Sequence, residues 1–348
     1  MRVLQLGPYP PPHGGIQTNL VAIREYLRSQ GVPCAAINLT RHRRPDADEV
    51  YYPAGIVGLL RRLLTLPYDI LHLHIGGNLT TRLLGLGLVC CLIPGKKAVL
   101  TFHSGGFPSS PEGQALHSKT FAAFVLRRFD AIIGVNPEIV GWMQRMGVDP
   151  ARLHHIPPHG NAVLPAEHLS PRLEVFYRDH DPVLLTVGLL EPEYDLGTQI
   201  DVLGNIRRQL PRAGLVIIGS GSLEQELRHR IAAVPWSAHI LLEGDVPHAI
   251  TLKAISDASI LLRTTLYDGD AVSVREALQL GTPVIATDNG MRPEGVRLVP
   301  VNDVANLEGA ILEQIASAPT PTIKCTPSPE NLDSVLRLYK SLRNPLVS

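Results

Sequence analysis

Two hydrophobic periods alternate along the chain. Short apolar runs at residues 2–6, 34–39 and 69–74 have the length of buried strands. Between them, residues 16–30 and 56–66 carry apolar side chains at helical spacing. Strands that alternate with helices in this way predict parallel sheets with helices on both faces.

The alternation continues to the end of the chain. Further predicted strands are residues 99–101, 129–135, 152–158, 183–187, 215–218, 239–242, 258–262 and 284–286. Further predicted helices are residues 81–91, 137–146, 196–209, 274–280 and 331–342, and another helix is predicted to follow Ser222 as its N-cap after the glycine loop at 219–221. Weak periodicity and many Pro, His and Asn residues at 160–180 predict a domain boundary. We therefore expect two α/β domains, each a doubly wound parallel sheet.

Length and charge limit the functions that this chain can have. A chain of 348 residues is long enough for two domains. A formal net charge of +0 gives no bulk attraction to nucleic acid, so we expect no nucleic-acid partner. The four cysteines lack the paired spacing of a zinc site, which favours reduced thiols in a cytoplasmic protein. Residues 1–6 resemble a strand rather than a signal peptide, and the longest apolar run, 83–94, is too short to span a bilayer.

Residues 264–290 carry several unlike local signals. An acidic turn, Asp268-Gly269-Asp270, leads into a predicted helix with Ser273 at its N-cap and Glu276 in capping-box register. Gly281 is expected to end this helix. The helix start would point free N–H groups beyond the sheet edge, which predicts an anion site. The alternative is that Glu276 only caps its own helix and Asp268 is a solvated turn residue.

This span resembles the donor-sugar motif of glycosyltransferase family 4. In that motif a Glu, seven residues and a second Glu precede an Ala-rich helix, Gly, Pro and a Val-rich strand. Asp268 stands where the first Glu would be. The residues that match as they stand are Glu276, Ala277, Gly281, Pro283 and Val284.

Two loops of the first half add to the resemblance. The first loop lacks both GxGxxG and the P-loop lysine, but its Gly14-Gly15 pair is similar to the first loop of GT-B glycosyltransferases; the alternative is an ordinary helix-entry turn. His103 follows a predicted strand and resembles the family's strand-His-Gly loop. His72 and His74 alternate within one strand and have no third ligand at metal spacing, so we interpret them as polar core or cleft lining.

The resemblance implies a fold and an activity. The fold would be GT-B, with two Rossmann-like domains (1–165 and 175–325) facing a cleft and a C-terminal helix (329–348) returning to the first domain. The activity would be retaining transfer of a sugar from a nucleotide diphosphate donor to a glycan or lipid-linked acceptor, in glycan, exopolysaccharide or glycolipid synthesis. No metal and no cofactor besides the nucleotide sugar is implied.

The resemblance also implies roles for individual residues. His103 is expected to contact the donor sugar near the transfer centre, Asp268 the sugar, and Glu276 the ribose hydroxyls. Further residues expected at the donor are Gly14, Gly15, Gly188, Gly219, Gly221, Asp245, Val246, Arg263, Gly269, Asp270, Ala271 and Val272.

One segment departs from the family pattern. Where the family has Gly-Arg and then Lys-Gly, whose cations hold the diphosphate, this chain has Leu189 and Tyr194 in place of Arg and Lys. The candidate replacements are Arg263, Arg275 and Arg292, and Arg275 is our first choice because it lies at the helix start. The missing cations also motivate an alternative, a catalytically silent GT-B module that binds a sugar nucleotide or a partner enzyme. A second alternative is a GT-B nucleotide-sugar epimerase.

The helices at 56–66 and 81–91 are strongly apolar, and we interpret them first as core elements. Both are accompanied by Arg or Lys residues. The alternative is therefore that one apolar face rests on the anionic inner membrane surface, as expected for an enzyme with a lipid-linked acceptor.

Overall fold

The computed structural model describes residues 1–11, 14–40, 48–158, 166, 168–268, 271–290, 292–317 and 330–343. The chain divides into two compact units, residues 1–161 with 329–348, and residues 162–328. The division falls inside the segment 160–180 that the sequence marks as a boundary. Part of that segment is not a linker, however, because residues 171–179 form a helix that packs in the second unit through Leu173 and Phe176.

The first unit is built on a parallel sheet. Its described strands are β1 (Val3–Gly7), β2 (Cys34–Asn38), β3 (Val50–Tyr51), β4 (Ile70–Ile75), β5 (Lys97–Phe102), β6 (Ala131–Gly134) and β7 (Leu153–His155). They lie in the order β3-β2-β1-β4-β5-β6-β7, and every pair is parallel. All six residues of β4 are buried, as expected for a strand covered on both faces.

Helices cover both faces of this sheet. The described ones that precede the second unit are α1 (Gly15–Ser29), α2 (Gly55–Thr65), α3 (Thr81–Leu92), α4 (Pro111–Ala115), α5 (Phe121–Leu126) and α6 (Pro137–Arg145). Local capping residues mark where such helices begin, as α6 shows. Asn136 accepts a hydrogen bond from the Ile139 N–H at 2.8 Å and precedes Pro137, so α6 has both an N-cap and a proline in its first turn.

The second unit repeats the design. Its described strands are β8 (Val183–Val187), β9 (Gly214–Ile218), β10 (Ile240–Gly244), β11 (Ile260–Arg263), β12 (Val284–Thr287) and β13 (Val296–Val299), in the parallel order β10-β9-β8-β11-β12-β13. Its helices within the described ranges are α7 (Pro171–Asp179), α8 (Leu196–Gln209), α9 (Glu224–Ala233), α10 (His248–Asp257), α11 (Val272–Leu280) and α12 (Val304–Ala316). Two apolar clusters, one on each face of the sheet, form its core.

The last helix, α13 (Glu330–Arg343), packs on the first unit. Leu332 and Tyr339 of α13 share a core cluster with Val3, Ile70 and Val99, which come from three neighbouring strands. Tyr339 is fully buried, and its hydroxyl lies 2.5 Å from His72 Nδ1. His72 in turn lies 2.7 Å from Thr101 Oγ1 through Nε2, so both of its ring nitrogens are satisfied in the core.

Most predicted elements are confirmed, and the misses are informative. The strands β3 and β13 and the helices α4, α5, α7, α10 and α12 are absent from the predicted set. Of these, β3, β13, α4 and α5 have only two to six residues each. Helix α3 is a core element, with Leu84 and Cys90 buried. Helix α2 is not, because Leu63 is its one fully buried residue. The core interpretation of residues 56–66 is therefore wrong.

The described cysteines agree with the expectation of buried thiols. Cys34 and Cys90 are buried and Cys91 is partly buried, and all three are free thiols. Cys325 lies outside the described residues.

Candidate functional site

In the first unit, His103 comes directly after β5 at the carboxyl edge of the sheet. Its backbone N–H donates to the Ile75 carbonyl at 2.8 Å, which holds the residue against the end of β4. The His103 ring stacks on His74 with centroids 5.5 Å apart, and His74 Nδ1 lies 3.2 Å from His103 Nε2. Burial lowers the pKa of His103 to about 3, so the ring is neutral near pH 7. The arrangement makes His103 a hydrogen-bonding group rather than a cation.

The buried His72 and His74 and the partly buried His103 of this sheet predict an acid-sensitive fold. Burial lowers the pKa of His72 and of His103 to about 3, whereas an unfolded histidine titrates near 6.5. The unfolded chain therefore binds more protons below pH ~6.5, and the free energy of unfolding should fall as pH drops from there towards 3. Each such histidine contributes up to about 1.4 kcal/mol per pH unit.

Urea unfolding at several pH values between 7 and ~4 measures this slope. The His103→Asn variant, which lacks one of the titrating groups, should show a shallower slope than the wild type. A free energy of unfolding that is independent of pH would contradict the prediction.

Gly14 and Gly15 begin α1. Gly14 has extended backbone geometry, and its carbonyl accepts the hydrogen bond from the Thr18 N–H at 2.9 Å that opens the helix. A Cβ at Gly14 would lie 2.9 Å from Gln17 Oε1. The two glycines therefore occupy the helix entry that the sequence predicts.

In the second unit, Asp268 is held between two arginines. One of its oxygens, Oδ2, accepts hydrogen bonds from Arg263 Nε at 2.8 Å and from Arg292 Nη1 at 2.9 Å. Burial alone would raise the pKa of Asp268, but the charges and hydrogen bonds of the two guanidinium groups outweigh it and hold the pKa below its usual value. The cluster of Arg263, Asp268 and Arg292 thus carries one net positive charge.

Arg263 lies against the segment from which the family cations are missing. Its Nη1 donates to the Val187 carbonyl at 3.0 Å, and its guanidinium sits 4.6 Å from the centroid of the Tyr194 ring. A Cβ added to Gly188 would lie 2.9 Å from Arg263 Nη1 and 2.2 Å from the Tyr194 ring. The space beside the Gly188 turn is therefore filled by an arginine from β11 stacked on Tyr194, while Leu189 is exposed.

Gly219 and Gly221 allow two loops of this unit to touch. A Cβ at Gly219 would lie 1.8 Å from the Gly188 carbonyl oxygen, and one at Gly221 would lie 2.5 Å from the Leu190 oxygen. The Leu190 N–H donates to the Ser220 carbonyl at 3.1 Å across the same contact. These glycines are required by the close approach of two backbones, which also fixes the position of the Gly188 turn.

Helix α11 differs in detail from the prediction. It begins at Val272 with Ala271 at the N-cap, so the assignment of Ser273 as N-cap is wrong; Ser273 Oγ instead lies 3.4 Å from the Val187 carbonyl. Gly281 ends the helix in the left-handed conformation with φ 83°, as predicted. Ala271 and Val272 are both buried.

Glu276 does not act as a capping-box residue. Its Oε1 lies 2.7 Å from His248 Nε2, and its side chain is 5% exposed. His248 is the first residue of α10 and follows the loop that carries Asp245, which is exposed, and Val246, which is buried. Sequence reasoning missed His248, because the two residues are 28 positions apart and no local pattern joins them.

The remaining predicted residues are placed as follows. Arg275 is half-buried on α11, one turn into the helix, where its backbone N–H donates to the Ala271 carbonyl. Arg292 follows β12, and its Nη2 donates to Thr265 Oγ1 at 2.7 Å. Gly269 and Asp270 lie outside the described residues. No cluster of three or more metal-ligating side chains occurs within the described ranges, and the expectation of a metal-independent reaction stays a prediction.

The two units define the class of protein. Two doubly wound parallel-sheet domains in one chain, with the last helix packed on the first domain, form the GT-B architecture of nucleotide-sugar glycosyltransferases. Sequence comparison gives the family. The model described as glycosyl transferases group 1 matches residues 174–313, and that described as Glycosyltransferase Family 4 matches residues 13–159. Together they match most of the chain, which belongs to the family 4 type of glycosyltransferases.

Individual relatives agree with this assignment. A GDP-mannose-dependent monoacylated alpha-(1-6)-phosphatidylinositol monomannoside mannosyltransferase of Corynebacterium glutamicum is 25% identical over 55% of this chain and 50% of its own length. The amylovoran biosynthesis glycosyltransferase AmsK of Erwinia amylovora is 28% identical over 38% of this chain and 36% of its own. The matches thus span half or less of these two relatives.

Solved structures share the fold at low identity. HepE of Anabaena, in complex with UDP-glucose, has a TM-score of 0.73 at 15% identity and covers 99% of this chain and 100% of its own. Sucrose-phosphate synthase of Thermosynechococcus elongatus has a TM-score of 0.73 at 18% identity, with 99% of each chain covered. At such identities the likeness establishes the fold alone.

Proposed function

We propose that the protein is a retaining glycosyltransferase that moves a sugar from a nucleotide diphosphate donor to a glycan or lipid-linked acceptor. The observation that carries the proposal is the position of Arg263 beside the Gly188 turn. The bond from sugar to diphosphate breaks through an oxocarbenium-like state, so negative charge gathers on the phosphate oxygens and needs nearby cations or N–H groups. Arg263 supplies such a cation close to the segment where Leu189 and Tyr194 replace the family's Arg and Lys.

The surroundings of Arg263 suit this role. Asp268 and the Tyr194 ring hold the guanidinium in place, so little reorganisation is needed when charge develops on the leaving group. Asp268 is engaged with two arginines, so we propose that its main contribution is to orient them. Its expected contact with the donor sugar would then be secondary.

Glu276 is proposed to bind the ribose hydroxyls. His248 takes Oε1, which fixes the carboxylate and leaves Oε2 to accept from a hydroxyl. The backbone of Ala271 and Val272 at the start of α11 adds N–H groups suited to phosphate. Arg275 remains a proposed second cation, since it lies in the first turns of the same helix.

A panel of nucleotide sugars tests the function. UDP-glucose and GDP-mannose belong in it, because the structure of HepE contains the former and the Corynebacterium mannosyltransferase depends on the latter. We expect one donor to raise the Tm and to be hydrolysed slowly to free nucleoside diphosphate. At the same donor concentration both effects should be much weaker in Glu276→Ala, because its KM for the donor is higher. Both should be kept in Glu226→Ala, an exposed carboxylate on α9.

The other outcomes separate the alternatives. Donor binding without turnover, even when candidate acceptors are supplied, would support the silent module. Conversion of the donor to an epimer would support the epimerase. Neither binding nor turnover with any donor would contradict both the transferase and its donor site.

We also propose that α2 rests on an anionic membrane surface, in keeping with a lipid-linked acceptor. Ile56, Val57 and Leu64 lie along one side of α2 and are 76%, 81% and 69% exposed. Arg61 is exposed at the border of this apolar face. An apolar stripe bordered by a cation matches the interface of a bilayer with acidic head groups. No helix of the described segments is both long and apolar enough to cross a membrane.

Vesicle co-sedimentation with phosphatidylglycerol-containing liposomes measures this contact. Leu64→Glu should weaken binding about tenfold or more, because it removes the burial of one leucine and adds a like charge to that of the lipid. Leu298→Glu is the matched control, since Leu298 is also exposed (49%) but lies on β13 of the other unit. Equal binding of the two variants would argue against the membrane role of α2.

A further inference from the structure

Four buried polar side chains line one face of the first sheet. They come from three adjacent strands and are Gln5 of β1, His72 and His74 of β4, and Thr101 of β5, all between 0% and 2% exposed. The strand register pairs Gln5 with His72 and His74 with Thr101. Side chains two positions apart in a strand share a face, so this row leads directly to His103 at the strand end.

Gln5 acts as a hydrogen-bond donor to His74. The Leu20 carbonyl can only accept, and the Arg24 backbone N–H can only donate, so the Gln5 amide is satisfied when its nitrogen faces Leu20 at 3.3 Å and its oxygen faces Arg24 at 3.3 Å. In this orientation the Gln5 nitrogen also lies 3.0 Å from His74 Nε2. His74 Nε2 must therefore accept.

The acceptor role of His74 Nε2 determines the tautomers of both His74 and His103. A neutral imidazole carries one N–H, so a His74 that accepts at Nε2 has its proton on Nδ1. That Nδ1 lies 3.2 Å from His103 Nε2 and donates to it. His103 Nε2 then accepts, which leaves the His103 proton on Nδ1.

Protonated states do not compete near neutral pH. Burial lowers the pKa of His74 well below its usual value and that of His103 to about 3. A doubly protonated His74 would also turn an N–H towards the Gln5 amide hydrogens, and donor would face donor. Both rings are therefore neutral. The hydrogen bonds from Gln5 to His74 and from His74 to His103 then form a relay with one defined direction.

We propose that Gln5 and His74 are positioning residues that fix His103 as its Nδ1–H tautomer, so that this ring offers a hydrogen-bond donor to an oxygen of the bound donor sugar. The choice of the sugar oxygen as acceptor rests on the proposed function. The tautomer does not, because it is a property of the protein without ligand. A fixed N–H donor holds that oxygen, and with it the anomeric carbon, in the reactive position and requires no proton transfer.

Long-range ¹H–¹⁵N correlation spectra of histidine-labelled protein report which ring nitrogen carries the proton. His103 is assigned by the signal that disappears in His103→Asn. We expect Nδ1–H in the wild type. Gln5→Met removes the amide at similar side-chain length and should give a mixture of His103 tautomers. In His74→Asn the amide nitrogen takes the place of the His74 Nδ1, so His103 should keep its Nδ1–H tautomer.

Activity provides a second readout. Gln5→Met should lower kcat about tenfold with little change in the KM of the nucleotide sugar, and His74→Asn should lose less. Tyr339→Phe is the control, because it removes a hydrogen bond from the neighbouring His72 but leaves the relay intact. Its His103 signals should match those of the wild type.

Two results would overturn the relay: Nε2–H on His103 in the wild type, or a Gln5→Met variant with unchanged tautomer. Failure of every nucleotide sugar to turn over would overturn the proposed function instead. The ring signals would still decide the relay, because they are recorded without substrate.

Discussion

Arg263→Gln is expected to lower kcat/KM for the nucleotide-sugar donor by about 10²–10³-fold. The substitution removes the guanidinium that lies beside the Gly188 turn and keeps a polar side chain at the end of β11. Steady-state kinetics with the donor found in the panel measure the effect. Most of the loss should appear in kcat, because the charge on the diphosphate oxygens is greater in the transition state than in the bound donor.

Two further variants make this result specific. Arg263→Lys keeps the charge but loses the fork that joins Asp268 to the Val187 carbonyl, so it should recover only part of the activity. Arg275→Ala, the substitution that sequence reasoning favours, should cost about 10²-fold if Arg275 also stabilises the leaving group. Urea unfolding must accompany the kinetics, because Arg263→Gln leaves Asp268 with one arginine. A folded Arg263→Gln enzyme with wild-type kcat/KM would remove Arg263 from the mechanism.

Glu276→Ala is expected to lower kcat/KM by about 10–10²-fold, mainly through a higher KM for the donor. A hydrogen bond to a charged carboxylate contributes roughly 1.5–3 kcal/mol to binding. Because the ribose contact stabilises the bound donor and the transition state equally, its loss raises KM. The same kinetics carried out with a 2′,3′-dideoxyribose donor identify the contact. The wild type should lose about as much on this donor as Glu276→Ala loses on the natural one, and the variant should lose little more.

His248 offers a matched pair for the same contact. His248→Gln places an amide nitrogen near the position of Nε2 and should retain the orientation of Glu276. His248→Ala removes the partner and should raise the KM of the ribose-containing donor. If Glu276→Ala still discriminates between ribose and dideoxyribose as strongly as the wild type, Glu276 does not read the ribose.

Arg263→Gln and Glu276→Ala together also distinguish an active enzyme from a silent module. A module that only binds would show the Glu276 effect on donor affinity and no turnover to be lost in Arg263→Gln. An enzyme would show both effects, separated into KM and kcat.

The sequence by itself determined the architecture of each unit. Period-2 and period-3.6 apolar patterns are local, and the edge of a parallel sheet at which a side chain emerges follows from its place at the strand end. For that reason His103 and Gly281 were located correctly, and so was the order of strands and helices through most of the chain. The family motif around Glu276 was readable for the same reason, since its residues are close in sequence.

Only the tertiary structure decided which polar groups meet. Helices α2 and α3 are similarly apolar in sequence, yet α3 is buried and α2 presents Ile56, Val57 and Leu64 to solvent. Ser273 satisfies a local capping rule, but the helix begins two residues earlier than this rule requires. Local patterns describe which residues can be buried, and packing selects which ones are.

The same limit applies to the charges of the site. Arg263 joins the Gly188 turn through a strand pair and reaches Tyr194, and His248 reaches Glu276 from another helix. The Gln5, His74 and His103 relay crosses three strands. Hydrogen bonds and ion pairs of this kind depend on distances of a few ångströms between segments that are far apart in sequence. No local pattern encodes those distances, so the choice of Arg263 among the three candidate arginines and the proposed tautomer of His103 rest on the tertiary structure.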